Sequence, residues 1–156
     1  MRVIHFHVEG DPKAQPRPRA FARQIAPGKF AARVYDSGTA EGWKAAVALA
    51  AKPYLPPTPI IEPVALHVAF FIRRPKRLET KKAPVLHIPC TARPDLENCI
   101  KAIMDVCTQI GVWTDDALVV ELHASKNYAM KGGRPGAEIR IDVLGSAIET
   151  LKRVLG

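Results

Sequence analysis

The sequence predicts one mixed α/β domain with its elements in the order β-α-β-α-β-β-α. Two stretches of apolar alternation, one long stretch of helical apolar spacing, and a length that suits a single core carry this reading. With 156 residues the chain can bury one full core, so residues 1–156 are read as one domain.

Residues 2–9 put Ile4, Phe6 and Val8 on one side of a strand and Val3, His5 and His7 on the other. Residues 11–35 hold Pro12, Pro16, Pro18 and Pro27 with almost no apolar periodicity, and read as an extended basic arm or loop. From about Thr39 to Lys52, Trp43, Val47 and Ala50 among many alanines give a helix, with Trp43 as a core anchor. Pro53 and the run Pro56-Pro57-Thr58-Pro59 stop it. Residues 63–73 alternate Val64, Leu66, Val68, Phe70 and Ile72, a strand that leads straight into a loop over 74–92. The next helix, from about Asp95 to Gln109, carries Leu96, Cys99, Ile100, Ile103, Cys107 and Ile110 on one stripe and Glu97, Lys101 and Asp105 on another. Gly111 ends it, residues 117–127 and 135–143 read as strands around Lys131-Gly132-Gly133-Arg134, and residues 146–155 form a terminal helix.

Composition excludes several classes. No apolar run approaches the roughly 18 residues of a membrane span, and the first ten residues alternate where a signal peptide would be basic and then apolar. A soluble, unprocessed, cytoplasmic protein with no membrane partner is expected. Cys90, Cys99 and Cys107 are odd in number and lack paired CxxC spacing, which reads as reduced thiols. His87 and Cys90 lack a second ligand pair, and no serine or cysteine has a neighbouring base motif.

The net charge of +8 is unevenly distributed: residues 1–82 carry 15 Lys/Arg against 6 Asp/Glu, and residues 83–156 carry 8 against 9. Lys13 to Arg33 holds six cations and no acid, and Arg73 to Lys82 holds six cations opposed only by Glu79. Such blocks suit a polyanion. The acids gather elsewhere, at Asp95 and Glu97 where a helix opens and at Asp115 and Asp116 after it. Magnesium prefers oxygen ligands and takes one or two carboxylates from a protein, leaving room for phosphate and water. Asp95 and Glu97 converge only if Asp95 is still extended, as a residue in the cap position is. Lys101, one turn after Glu97, can then offset charge building on phosphate oxygens, while Asp105 lies a turn further on. The plainer alternatives are a helix cap for Asp95, an exposed ion pair for Glu97 and Lys101, and a turn for Asp115 and Asp116.

Arg93-Pro94-Asp95-Leu96-Glu97-Asn98 with Lys101 and Asp105, then Gly111-Val112-Trp113-Thr114-Asp115-Asp116 with Val119-Val120, then Lys126 and Lys131-Gly132-Gly133-Arg134, resemble the RusA family of Holliday-junction resolvases. The likeness covers about residues 93–134, and Gly10-Asp11-Pro12-Lys13 with Pro16-Arg17-Pro18-Arg19 is similar to the arm of many members; residues 74–92 match no family feature. The resemblance implies a RusA-like homodimer, bacterial or phage-encoded and often carried by a prophage. It implies a magnesium-dependent endodeoxyribonuclease, with manganese as a substitute, that resolves four-way DNA junctions by paired symmetric nicks in recombination and repair. It implies Asp95, Glu97 and Asp116, with Asp115 beside them, as metal ligands, and Lys101 as the essential lysine. Glu97 stands where the family usually has Asp; a carboxylate is kept, and its extra methylene bears on rate and metal preference more than on reaction type.

The basic side chains assigned to DNA are Lys13, Arg17 and Arg19 in the arm, Arg73, Arg74, Lys76 and Arg77 in the loop, and Arg93, Lys126, Lys131 and Arg134. Two alternatives stay open on the residues alone: a non-catalytic branched-DNA-binding protein whose metal site has lapsed, and a magnesium enzyme acting on small phosphates, which would leave the basic blocks idle.

Overall fold

The computed structural model describes residues 2–17, 19–35, 38–145 and 147–156. Its elements are strands β1 (Val3–Glu9), β2 (Arg19–Ala26), β3 (Lys29–Tyr35), β4 (Val64–Ile72), β5 (Ile88–Pro89), β6 (Val119–Tyr128) and β7 (Gly136–Val143), and helices α1 (Glu41–Ala51), α2 (Leu96–Gln109) and α3 (Ala147–Leu155). Five strands form one mixed sheet in the order β1-β7-β4-β6-β5, with β4 and β6 parallel and the other pairs antiparallel. No helix among the described residues is long and apolar enough to cross a membrane.

The mixed α/β architecture agrees with the alternation of β1 and β4. Ile4, Phe6 and Val8 are buried with Leu66, Val68, Phe70, Ile139 and Ile141, and α1 and α2 cover this side of the sheet through Trp43, Val47, Cys99, Ile103 and Val106. Alternation therefore names the core face of each strand. The other face carries His5, Glu138, Arg140, His67 and His123 around an open hollow of about 330 Å³.

One expectation fails here. Residues 19–35, expected to be part of an extended arm, form the β2–β3 ribbon, a two-stranded sheet of its own that reverses at Gly28 with φ +71°. Each described side chain from Ala22 to Ala32 is exposed. Exposed strand positions like those from Ala22 to Ala32 need no apolar alternation, so this stretch carries no strand signal. β6 and β7, the strands read around the Gly-Gly turn, are separated by β4. The most apolar strand takes the central position, where both of its edges are paired.

The 74–92 segment is less irregular than expected. Arg74 is 6% exposed, and its guanidinium donates to the carbonyls of Ala129 at 3.0 Å, Leu78 at 3.3 Å, Pro84 at 2.6 Å and Leu86 at 2.6 Å. Lys131 Nζ donates to Ala83 O at 3.3 Å. The loop is thus folded around one buried cation, Arg74, four of whose donors face carbonyls.

Beyond β4, β6 forms nearly the last edge of the sheet, because β5 pairs only with Asn127 and Tyr128. From Val119 to Ser125 its outer edge has no strand beside it among the described residues, and Val120 and Leu122 are 60% and 48% exposed.

This packing sets two measurable outcomes. Ile103 is fully buried between α2 and the sheet, so Ile103→Ala lowers unfolding free energy by roughly 2–5 kcal/mol, read from urea midpoints. Arg74→Met loosens the loop, and trypsin then cuts at Lys76 and Arg77 several-fold faster; an unchanged digestion rate would remove Arg74 as the anchor.

Candidate active site

Asp95 sits immediately before α2 with extended backbone, φ −69° and ψ 135°, as convergence with Glu97 requires. Its carbonyl accepts from Cys99 N at 3.0 Å, whereas its side chain makes no capping hydrogen bond. The cap alternative therefore does not account for the carboxylate, which is exposed beside the exposed Glu97 of the first helical turn. The helix N-terminus favours negative charge at both positions. Lys101 is exposed on the same helix, and no ion pair to Glu97 occurs among the described residues. Asp105 pairs with the buried Lys44 at 3.7 Å and belongs to the α1–α2 contact.

The segment entering α2 is held on two sides. Lys126 Nζ donates to Ala92 O and Pro94 O, each at 2.6 Å, so it fixes the backbone beside Asp95. Two of its three donors thus face carbonyls. On the other side the arm is strapped across the helix start, with Gly10 N donating to Pro135 O at 3.2 Å and Gln15 N to Asn98 O at 2.9 Å. Arg73 grips Asp11 through Nε and Nη2, both at 3.1 Å, and ties the arm to the end of β4. Between arm and helix lies a groove of about 840 Å³ lined by Lys13, Arg17, Arg93, Asp95 and Asn98. The strap leaves no mark in the sequence, since its bonds to Asn98 and Pro135 use backbone groups alone.

Asp115 and Asp116 lie elsewhere. Gly111 ends α2 with φ +80°, and the following turn is stitched to the start of β4: Ile60 N donates to Val112 O at 2.9 Å and Thr114 N to Ile60 O at 3.1 Å. Trp113 is 1% exposed, and its Nε1 donates to Thr108 Oγ1 at 2.8 Å. Asp115 Oδ1 accepts from Ala117 N at 2.8 Å, the turn role weighed for it, and Asp116 is exposed with no such bond. α2 has 14 residues, so the two acidic pairs, at its opposite ends, stand roughly 20 Å apart. Among the described residues no three His, Cys, Asp or Glu side chains converge as metal ligands. One chain thus places Asp95 and Glu97 at the start of α2 and Asp115 and Asp116 beyond its end.

The remaining basic residues divide. Lys76 and Arg77 are exposed on the loop. Arg134 faces Glu9 at 3.6 Å on the surface. The Arg19 side chain and Pro18 lie outside the described residues. His5 Nε2 and His7 Nδ1 both meet Glu138, at 3.0 and 2.8 Å, on the sheet face away from α2. His87 packs on Phe71. Burial pushes the Cys99 and Cys107 thiols up to about 11 and about 12, so both stay protonated and are no nucleophiles.

The family model described as "Endodeoxyribonuclease RusA" matches residues 9–142. The uncharacterized protein YqaN of Bacillus subtilis (strain 168) is 33% identical over 146 residues, covering 90% of this chain and 96% of that protein. The crossover junction endodeoxyribonuclease RusA of Escherichia coli (strain K12) is 42% identical over 60 residues, 38% of this chain and 48% of that protein, and that of Shigella sonnei (strain Ss046) matches with the same coverage. The chain thus spans about half the length of the named RusA relatives it matches and nearly all of YqaN. With residues 9–142 of the chain matched, and with the motif residues standing where α2 opens and where it closes, the chain belongs to the RusA endodeoxyribonuclease family.

Proposed function

We propose that this chain, acting as one domain over residues 1–156, is a magnesium-dependent endodeoxyribonuclease that resolves four-way DNA junctions by paired nicks. The observation that carries this reading is the groove at the start of α2, where the unbonded Asp95 carboxylate shares a wall with Lys13, Arg17 and Arg93. Cations there seat phosphates while a carboxylate faces the backbone to be cut, a combination that a small-phosphate enzyme has no need of at this size. Lys101, one turn beyond Glu97, offsets the charge that develops on phosphate oxygens. Lys126 keeps the Asp95 backbone from shifting under that load.

The donor set suits a hard cation: Asp95, Glu97 and Asp116 offer carboxylate oxygens, and the Cys99 thiol near Asp95 is buried and held protonated. Magnesium, or manganese in its place, supplies when bound a polarised water and a counter-charge for the phosphate.

Asp116 belongs to the same function through a second copy of the chain. The family homodimer and the open β6 edge fit one another. Two β6 edges related by a two-fold axis pair antiparallel, which carries Asp116 of one copy towards the Lys126 end of the other, where Asp95 lies. Such a dimer has two equivalent sites, as a nearly symmetric junction with two strands to cut requires.

Mixing inactive variants tests the arrangement. Asp95→Asn and Asp116→Asn each bind a labelled four-way junction and fail to nick it. Unfolded and refolded together, they regain nicking, because one site in each mixed dimer then holds both aspartates. A mixture as inactive as its parts would put both carboxylates in one chain's site. Binding without nicking by wild type under magnesium or manganese would leave a branched-DNA-binding protein with a lapsed metal site.

Salt dependence tests the groove. Junction affinity falls with salt on a log–log plot, and Lys13→Ala and Arg17→Ala make the slope shallower by about 0.9 for each phosphate no longer neutralised. Lys126→Met instead changes cleavage far more than the slope. Unaltered slopes in the first two would remove the groove from DNA binding.

A further inference from the structure

The β2–β3 ribbon is unexplained by the groove, the sheet or the core. It forms a sheet apart from the five-stranded one, and no described side chain from Ala22 to Ala32 is buried. An isolated two-stranded ribbon is marginal in water, and large apolar side chains on it gain nothing from this chain's own core. Yet its outer end carries Ile25, 64% exposed, and Phe30, 66% exposed. Phe30 occupies one of the last rungs, opposite Gln24, and Ile25 falls in the register irregularity between Gln24 and Ala26. Arg23 and Lys29 flank them, within the Lys13–Arg33 stretch that has six cations and no acid. The ribbon follows directly on the arm that lines the Asp95 groove.

A partner for this surface must be strongly anionic and must also present an apolar or aromatic face. Linear duplex meets the first condition only, because its bases are stacked on both sides. At a branch point the stack is interrupted, and flat base faces can be opened to side chains. We propose that the tip of the β2–β3 ribbon engages the bases at the branch point, Phe30 and Ile25 packing on exposed base faces while Arg23 and Lys29 hold the adjoining phosphates. The ribbon then distinguishes branched from linear DNA, and the groove does the cutting. This rests on the junction-resolving reading above and assigns its shape selectivity to one element.

The test uses full-length Phe30→Ala, Ile25→Ser with Phe30→Ala, and Phe30→Trp, each titrated against a four-way junction and a matched linear duplex without divalent metal. Thermal unfolding and sedimentation accompany each variant, and because Ile25 and Phe30 are exposed the melting temperature stays at the wild-type value. The truncated variants lose junction affinity by roughly tenfold to a hundredfold and duplex affinity by no more than about twofold, and Phe30→Trp keeps the wild-type preference. A 2-aminopurine base at the branch point brightens on binding wild type and not on binding Phe30→Ala. Equal losses on junction and duplex would make the ribbon a plain phosphate handle and overturn the proposal. A changed oligomeric state would make Phe30 a contact between copies, and unchanged affinities would give the ribbon no part in binding; either result overturns it too. If wild type itself holds junction and duplex alike, the junction-resolving reading falls with it; if only the variants match wild type, the ribbon's role alone falls.

Discussion

Because β4 and β6 run parallel, the chain leaving Ile72 must travel back along the whole sheet before β6 can begin, and α2 makes that return. A parallel pair admits no tight turn, so a crossover helix is the usual solution. Everything chemically distinctive about this chain is placed by that one constraint. Asp95 and Glu97 stand where the crossover helix opens, and Asp115 and Asp116 where the chain turns into β6. The stitching of Val112 and Thr114 to Ile60 pins the second position as firmly as Lys126 and the arm pin the first. Carboxylates close in sequence are thereby held a helix length apart, and a dimer becomes a condition of the chemistry in the proposed reading.

Positive charge in this protein has two uses that composition does not separate. Arg74 and Lys126 direct their donors at backbone carbonyls and hold loops in shape, and Arg73 ties the arm to the sheet through Asp11. Lys13, Arg17 and Arg93 line the groove, and Lys76 and Arg77 are exposed on the loop. A buried guanidinium with its donors satisfied is an organiser of the backbone, while an exposed one over a groove can exchange water for phosphate. In the proposed reading the basic blocks thus build the binding surface and supply part of its contacts.

The far face of the sheet shows the same economy of acids. Glu138 meets His5 and His7, and the hydrogen bond from Arg140 at 2.7 Å holds the Asp142 carboxyl below the usual carboxylate range, with His67 adding to the effect. These acids sit in charge-balanced company, so the carboxylates left without a hydrogen bond or ion pair among the described residues at the ends of α2 stand out by contrast.

Short-range pattern determined much of this protein. The alternation in β1 and β4 named their buried faces, the stripe on α2 named its core side, Gly111 marked its end, and the motif residues at both ends of that helix pointed to the family. Those signals are local, because periodicity and capping depend on neighbours three or four residues away at most. Strand order, the ribbon within the proline-rich arm, and the division of cations between carbonyls and the groove were decided only by the fold. Each of these depends on contacts between residues far apart in the chain, Arg74 with Leu86 and Ala129, Gln15 with Asn98, Ile60 with Val112, most of them through backbone groups that every residue possesses. A sequence can announce that its acids belong together chemically, but whether they meet within one chain depends on the direction in which its strands run.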